Sequence, residues 1–480
     1  MTVGLPSRGA ILGFRGWRAL RHRNYRLFFT GQLISLVGTW MQTVAQGWLV
    51  LLLTGDPFWL GVVAAAQFGP VLVLGLFGGL IADGLPKRRT LAAAQTVAMI
   101  LAFVLFGLTA THTVQVAHIV VLALLLGVVN AVDMPTRQAF VVEMVGRDEL
   151  GNAVALNSAV FNAARIVGPA VAGLTIAATD ISVAFLVNGL SFLAVLASYR
   201  AMDDRTLASA PMLVRPTTFG GAAADLAEGL RYVRTTPLVL LPILVLGLVS
   251  TFGMNFSVVV PAIAREVLDV GAEGFGFLMA ASGVGSFVAA IAIAFGRRSH
   301  RALIGLGAVA LGVAELVLAA SGSYPVSLVA MFVVGLGAIG MAATCNTTIQ
   351  MTVPDHLRGR VMSVYTTVFA GSTPIGGLLT GILASGFSVP VAVAVGGVGS
   401  LVVGVAGYAW YRRIAVGAVP AAMAGPAAVS TVGQAAMPIQ TDPIAAAAPV
   451  PAPAPVPATA PVDMEGGGAP EGARPSSARG

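Results

Sequence analysis

Apolar residues come in long unbroken runs along most of this chain, with little of the polar alternation expected of a half-buried surface. The runs cover residues 25–54, 58–82, 90–110, 116–138, 153–178 and 181–200, and resume at 238–262, 272–295, 302–320, 326–350, 360–385 and 389–411. Crossing the hydrocarbon core of a bilayer takes about 20 residues of helix. Six runs, a polar break and six more therefore predict an all-α membrane protein with twelve transmembrane helices. The flanking segments are of a different kind. Residues 1–24 form a basic leader with a short amphipathic segment, a plain disordered tail over 1–14 being the alternative. The break at 201–237 contains Leu226, Leu230 and Val233 on one helical face, with Asp225, Glu228 and Arg231 turned away from it. That spacing predicts an amphipathic helix at the membrane surface; a plain connector and a regulatory element fit it equally. Residues 413–480 are Ala-, Pro- and Gly-rich, cannot build a core and read as a disordered tail.

Composition fits this picture. Only 10% of the 480 residues are charged against 57% hydrophobic, whereas a soluble domain carries about a quarter charged. Most of the surface must then face lipid. The charges that remain report topology. With the N-terminus in the cytoplasm, all 27 cations except Arg165 and Arg265 fall on the cytoplasmic side, as the positive-inside rule requires for an even number of spans. The net charge of +7 thus has an explanation without nucleic acid. Lys87 is the only lysine and stands in no phosphate-loop motif, Cys345 is the only cysteine, and none of the five histidines forms a zinc-binding pair. Neither an ATPase site, a disulfide nor a metal centre is supported, and no cofactor is expected.

The two sets of six runs repeat weakly. At an offset of 207, Met144, Asp148, Leu150 and Val154 meet Met351, Asp355, Leu357 and Val361, and each set has a late proline in its fifth span, Pro169 and Pro374. At an offset of 210, Lys87 and Arg88 meet Arg297 and Arg298, while Asp83 meets Ile293. Repeated six-helix halves, here 25–200 and 238–412, fit a transporter whose site lies between them.

Several polar residues stand out within the spans. Arg165 is the one cation deep in a span, and burying it unpaired is costly. It either pairs permanently with an acid or helix end, or faces a water-filled cavity where it meets a proton or an anion. Asp133 lies near the cytoplasmic end of span four and can join Lys87, Arg88 or Arg137 in an inner gate; in a second reading it also titrates. Glu315 sits mid-span in span nine, either as a proton carrier or in a helix groove. Gly168, Pro169 and Gly173 in span five allow close approach and a bend.

Two stretches carry a family resemblance. Gly79-Leu80-Ile81-Ala82-Asp83-Gly84-Leu85-Pro86-Lys87-Arg88-Arg89 resembles the loop signature between spans two and three of the major facilitator superfamily. Gly79, Asp83, Lys87 and Arg88 match it; Gly84 and Pro86 stand where an arginine and a glycine are usual. Gly168, Pro169 and Gly173 resemble the superfamily's antiporter motif, although Ala155 and Ala164 replace its upstream glycines. Over residues 20–412 the chain is similar to the branch that holds enterobactin exporters and related bacterial efflux proteins. The resemblance implies two pseudo-symmetric six-helix bundles, with the turns holding Asp83 to Arg89 and Arg297 to Arg301 closing the cytoplasmic side. Spans one, four, seven and ten would line the cavity, placing Gln42, Gln46, Asn130, Asn255, Asn346 and Gln350 there among large soft side chains; helix-to-helix bonding is the other use for such amides. It further implies proton antiport of a small organic compound by a monomer in the plasma membrane, with Asp133, Arg165 and Glu315 as coupling candidates. The alternatives are an uptake symporter or uniporter of the same fold, and a membrane sensor or scaffold that moves nothing.

Overall fold

The structure is a computed structural model that describes residues 17–207, 219–295 and 301–417, with residues 75–84 described by their helical backbone alone. The leader before 17, the Arg297–Arg298 turn and the tail beyond 417 lie outside the described residues. The described part is helical throughout and has no strands.

The first half begins with a 3₁₀ turn, Arg18–Arg21, and then α1 Arg23–Thr54, α2 Phe58–Gly84, α3 Lys87–Ala110, α4 Val116–Val145, α5 Leu150–Ala178 and α6 Ile181–Arg200. A 3₁₀ turn, Asp204–Thr206, and α7 Phe219–Thr235 connect to the second half. There follow α8 Pro237–Phe252, α9 Phe256–Glu266, α10 Ala272–Phe295, α11 Leu303–Ala320, α12 Tyr324–Thr352, α13 Asp355–Gly386 and α14 Val389–Gly417. Eleven helical segments are long and apolar enough to cross a membrane, counting α8 and α9 as one; of α2, the stretch Phe58–Leu74 is a shorter apolar helix in the same row. Exposed Val73, Val329, Ile375 and Val402 on these helices are explained by lipid, since no water-facing surface presents so much apolar area.

The turns follow ordinary capping chemistry. Gly55 ends α1 in the left-handed region at φ 63°, where a residue without Cβ is unstrained. Asp180 caps α6 by accepting a hydrogen bond from the Ser182 N–H. Between α8 and α9 the chain departs from the single span its apolar run predicts. The helix stops at Phe252 and restarts at Phe256, with Gly253 N–H and Met254 N–H both returning to the Val249 carbonyl. Gly253 and Asn255, ordinary helix-stop and helix-start residues, sit at the interruption.

Helices approach closely where glycines allow it. A Cβ on Gly285 of α10 would lie 1.9 Å from the Phe332 carbonyl oxygen of α12. Between the halves, α5 packs on α10 and α2 on α13. Gly173 faces Ala272 and Glu273, Gly276 faces Pro169, and Gly61 faces Gly377. These seams run from the end opposite the basic clusters to mid-depth. The largest apolar core belongs to the same region: Met41, Trp48 and Phe185 of the first half share it with Val258, Ile263 and Phe275 of the second. Trp48 stacks on Phe275 at 6.1 Å, and the Arg265 guanidinium donates to the Leu51 carbonyl. Towards the basic end the cores separate. Tyr25, Phe28, Phe140 and Tyr199 cluster within the first half, and Val233, Leu246, Met341 and Val361 within the second half and α7.

The connector helix α7 rests on α13 with a face rotated from the expected one. Val233 is buried and Leu226 partly so, but Leu230 is 38% exposed. Gly229 takes the contact, since a Cβ there would meet the Arg360 carbonyl oxygen at 2.6 Å. Asp225 and Glu228, expected to turn outward, instead pair with Arg360 at 2.8 and 2.6 Å.

Candidate transport pathway

The basic cluster after α2 is held by partners of its own half and of the connector. Lys87 Nζ meets Glu143 Oε1 of α4 at 2.6 Å. Arg88 meets Asp204 Oδ1 at 2.9 Å and donates to the Met202 carbonyl oxygen at 3.0 Å. Arg89 is exposed and, with Lys87, Arg88, Phe140 and Leu207, borders a cleft of about 360 Å³. Gly79 and Asp83 fall in the last turns of α2, where side chains are not described.

Asp133 is 1% exposed, one turn before Arg137 on α4. A lone carboxylate there would be expensive. It is fully engaged: Arg137 Nη2 pairs with Oδ2 and Gln95 Nε2 of α3 donates to Oδ1 at 2.9 Å. Arg137 Nη1 also donates to Gln32 Oε1 of α1 at 2.7 Å, and the Gln32 amide donates to the Tyr199 hydroxyl at 3.4 Å. Of the three cations considered as partners for Asp133, Arg137 is the one that binds it. Three members of this network, Gln32, Gln95 and Tyr199, carried no local signal in the sequence, because their meeting depends on how α1, α3, α4 and α6 pack.

Arg165 has no partner among the described ion pairs. Its guanidinium lies over the Trp40 ring, 5.9 Å from the centroid, and Trp40 meets Phe161 edge-on at 5.8 Å. A cation over an aromatic face is stabilised without a carboxylate. The motif beside it holds three helices together. A Cβ on Gly168 would sit 2.5 Å from Trp40 Cβ, Pro169 presents its carbonyl oxygen to Gly276, and Gly173 abuts α10. Gly168, Pro169 and Gly173 thus sit at the junction of α1, α5 and α10.

The six amides expected in the cavity separate into two groups. Gln42 is buried and accepts from Asn188 Nδ2 of α6 at 2.6 Å, and Gln46 is buried one turn on. Asn255 is buried in the α8–α9 break, where its Nδ2 donates to the Thr251 carbonyl oxygen at 2.8 Å while its Oδ1 has no partner. Asn130 and Asn346 are half-buried and Gln350 is exposed; Gln350 Nε2 donates to Asn346 Oδ1 at 2.5 Å. Glu315 lies apart from all of these, 4% exposed on α11 against the break, and accepts from Ser400 Oγ at 3.4 Å.

A helical membrane chain whose two halves are joined by an α5–α10 and an α2–α13 seam has the architecture of a major facilitator transporter. The chain matches the transmembrane secretion effector family of that superfamily over residues 14–426 and belongs to it. It is 32% identical over 372 residues to the multidrug efflux pump Tap of Mycolicibacterium fortuitum, covering 75% of this chain and 88% of that one. It is 24% identical to the staphyloferrin A transporter of Staphylococcus aureus, covering 81% and 96%. The fold is shared with a bacterial homologue of the lysosomal transporter Spinster, at a TM-score of 0.63 and 13% identity over 82% of this chain and 96% of that one. The resemblance read from the loop and antiporter motifs is borne out.

Proposed function

We propose that this protein exports a small organic compound, a drug-like molecule or a siderophore, from the cytoplasm in exchange for protons. It works as a monomer in the plasma membrane, with twelve spans and both termini in the cytoplasm. Residues 25–200 and 238–412 form two bundles that rock about a central site. The observation that carries this reading is the difference between the two ends. Apolar and backbone contacts join the halves from the far end to mid-depth, while the cores at the basic end stay separate. The basic end is the cytoplasmic one by the positive-inside rule, so the arrangement suits loading from the cytoplasm. Asn130, Asn346 and Gln350 supply uncharged hydrogen-bonding groups, and Trp40, Phe161 and Arg165 supply an aromatic and cationic surface. That combination suits an amphipathic molecule. The names of the two relatives favour the same substrate classes.

Everted membrane vesicles decide the direction. An exporter concentrates ethidium or staphyloferrin A inside them when their lumen is acidified, and collapse of the pH gradient releases it. Accumulation that requires the opposite gradient establishes an uptake symporter instead.

A further inference from the structure

The mechanism outlined above makes no use of the buried carboxyl on α11. Glu315 stands about 18 Å along its helix from the basic end, at 1.5 Å per residue, and faces the interruption between α8 and α9. A Cβ on Gly253 would lie 2.9 Å from Glu315 Oε2 and 2.2 Å from Ser400 Oγ. A Cβ on Gly396 of α14 would lie 2.6 Å from the Phe252 carbonyl oxygen and 3.7 Å from Glu315 Oε2. The absence of side chains at Gly253 and Gly396 is what lets the acid reach the broken helix.

The chemistry of this pocket is one-sided. The C-terminal end of α8 carries the negative pole of its helix and carbonyls freed by the break. The Asn255 amide donates to the Thr251 and Phe252 carbonyl oxygens, at 2.8 and 3.4 Å, and its buried Oδ1 points away from Glu315, against Gly376 of α13. Among the described residues, no cation comes near from the elements packed on α11. Helix α8 has no ionisable side chain, and α12 has Tyr324 and Cys345. Helix α14 has Tyr408, Tyr411, Arg412 and Arg413 towards the basic end, Arg412 being about 18 Å along the helix from Ser400. Arg265 and Glu266 of α9 are at the far end, with Arg265 engaged by Leu51. Glu315 thus faces acceptors with a single described donor, Ser400. One species removes the conflict, a proton on the carboxyl, which turns one acceptor into a donor towards the carbonyl end of α8.

We infer that Glu315 binds the coupling proton at the hinge of the seventh span, outside the substrate cavity. This rests on the proton-driven exporter reading and places its ion site. With the proton, Glu315 donates into the break and seats α8 against α9; on losing it, the carboxylate and the helix end repel and the break re-forms differently. The proton therefore acts on the segment that links the far-end core, through Val258 and Ile263, to the connector side, through Val239 and Val233.

The test uses the full chain in liposomes. Acidification is followed by infrared difference spectroscopy and by the distance between spin labels at Gln138→Cys and Met351→Cys in a Cys345→Ala background. The expected result is a carboxylic-acid carbonyl band and a shift in distance in the wild-type background, both lost in Glu315→Gln. Persistence of both in that variant overturns the site, as does an equal distance change on adding sodium at constant pH. Should Glu315→Gln not fold, Ser400→Ala keeps the acid but removes its donor, so the carbonyl band must move to higher frequency; a band that does not move overturns the assignment. Neither readout needs a transported compound. A proton switch without gradient-driven ethidium movement refutes the exporter reading alone, and gradient-driven movement unchanged in Glu315→Gln refutes this site alone.

Discussion

The two ends of the helical bundle are held by different physics. At the far end and down to mid-depth, the halves meet through glycine, proline and a shared apolar core: Gly173 against Ala272, Gly276 against Pro169, Gly61 against Gly377, Trp48 on Phe275. At the basic end each half keeps its own apolar core, and the described ion pairs lie within one half or reach only the connector, as with Lys87 to Glu143, Arg88 to Asp204 and Arg360 to Asp225 and Glu228. Backbone-to-backbone contact is intolerant of displacement, because a close-packed interior loses its contacts over fractions of an ångström. Partly hydrated ion pairs exchange partners at little cost. A gate that must open in each cycle is more easily built from the second kind, while the first kind gives a discrete, well-packed closed state.

The largest effect is expected where the ionic end reaches into the membrane. Arg137→Ala leaves Asp133 buried and unpaired, which costs about 3–5 kcal/mol and should appear as a large drop in thermal stability in detergent. Pairing the neutral substitutions Asp133→Asn and Arg137→Gln restores most of it. If Arg137→Ala unfolds at the wild-type temperature, the network of Gln32, Gln95, Asp133, Arg137 and Tyr199 is not structural. The next effect contrasts the ends directly. Gly276→Ala places a Cβ 2.4 Å from the Pro169 carbonyl oxygen, an overpacking worth about 1–3 kcal/mol. Gly151→Ala, at the basic end of α5 with nothing within 4 Å of its Cβ position, is stabilising by roughly 0.5–1 kcal/mol through helix propensity. Equal responses at the two glycines would erase the distinction between the ends.

The architecture was legible because span length and charge asymmetry are properties of the chain itself. The far-end seams were partly legible: Gly168, Pro169 and Gly173 were marked by their small size, and they are where α1 and α10 approach. The interruption of span seven was missed, although Gly253-Met254-Asn255 offers a stop and a start signal, because the apolar run continues through it. The partner of Asp133 was among the three proposed, for Arg137 lies one helical turn away. The partners of Lys87, Gln42 and Glu315 are 56, 146 and 85 residues distant. No periodicity encodes such meetings. The face of α7 was misjudged for a related reason: burial there follows the close approach of Gly229 to Arg360, which a hydropathy pattern ranks below Leu230.

A smaller effect tests whether the far end is inert to pH. Asp180, outside the spans, is held below the usual carboxylate range by hydrogen bonds from Ser182, with a lesser contribution from His112. Its folded value being depressed, its contribution is complete above the unfolded value of about 3.9 and is lost only as pH falls through the folded one. Asp180→Ala should cost about 1 kcal/mol as a lost helix cap, equally at pH 8 and pH 9, above the range in which a histidine ordinarily changes charge. A cost that varied across that window would show that the closed end titrates along with the open one.

The smallest effect bears on the connector. Arg360 holds Asp225 and Glu228 while about a third exposed, as Asp225 is, and Glu228 is more so. Such pairs are worth about 0.2–1 kcal/mol each and weaken with salt. Arg360→Gln should therefore lower thermal stability slightly at low ionic strength and not at all near 1 M salt. A spin label at Ala227 should gain mobility in the variant, since α7 then loses its ion pairs and keeps the packing of Leu226, Tyr232, Val233 and Gly229. If the label stays immobile and the stability loss persists in high salt, the ion pairs are incidental and α7 is fixed by packing. The connector would then belong with the far-end seams, and the basic end would have one rigid strap where its chemistry suggests an exchangeable one.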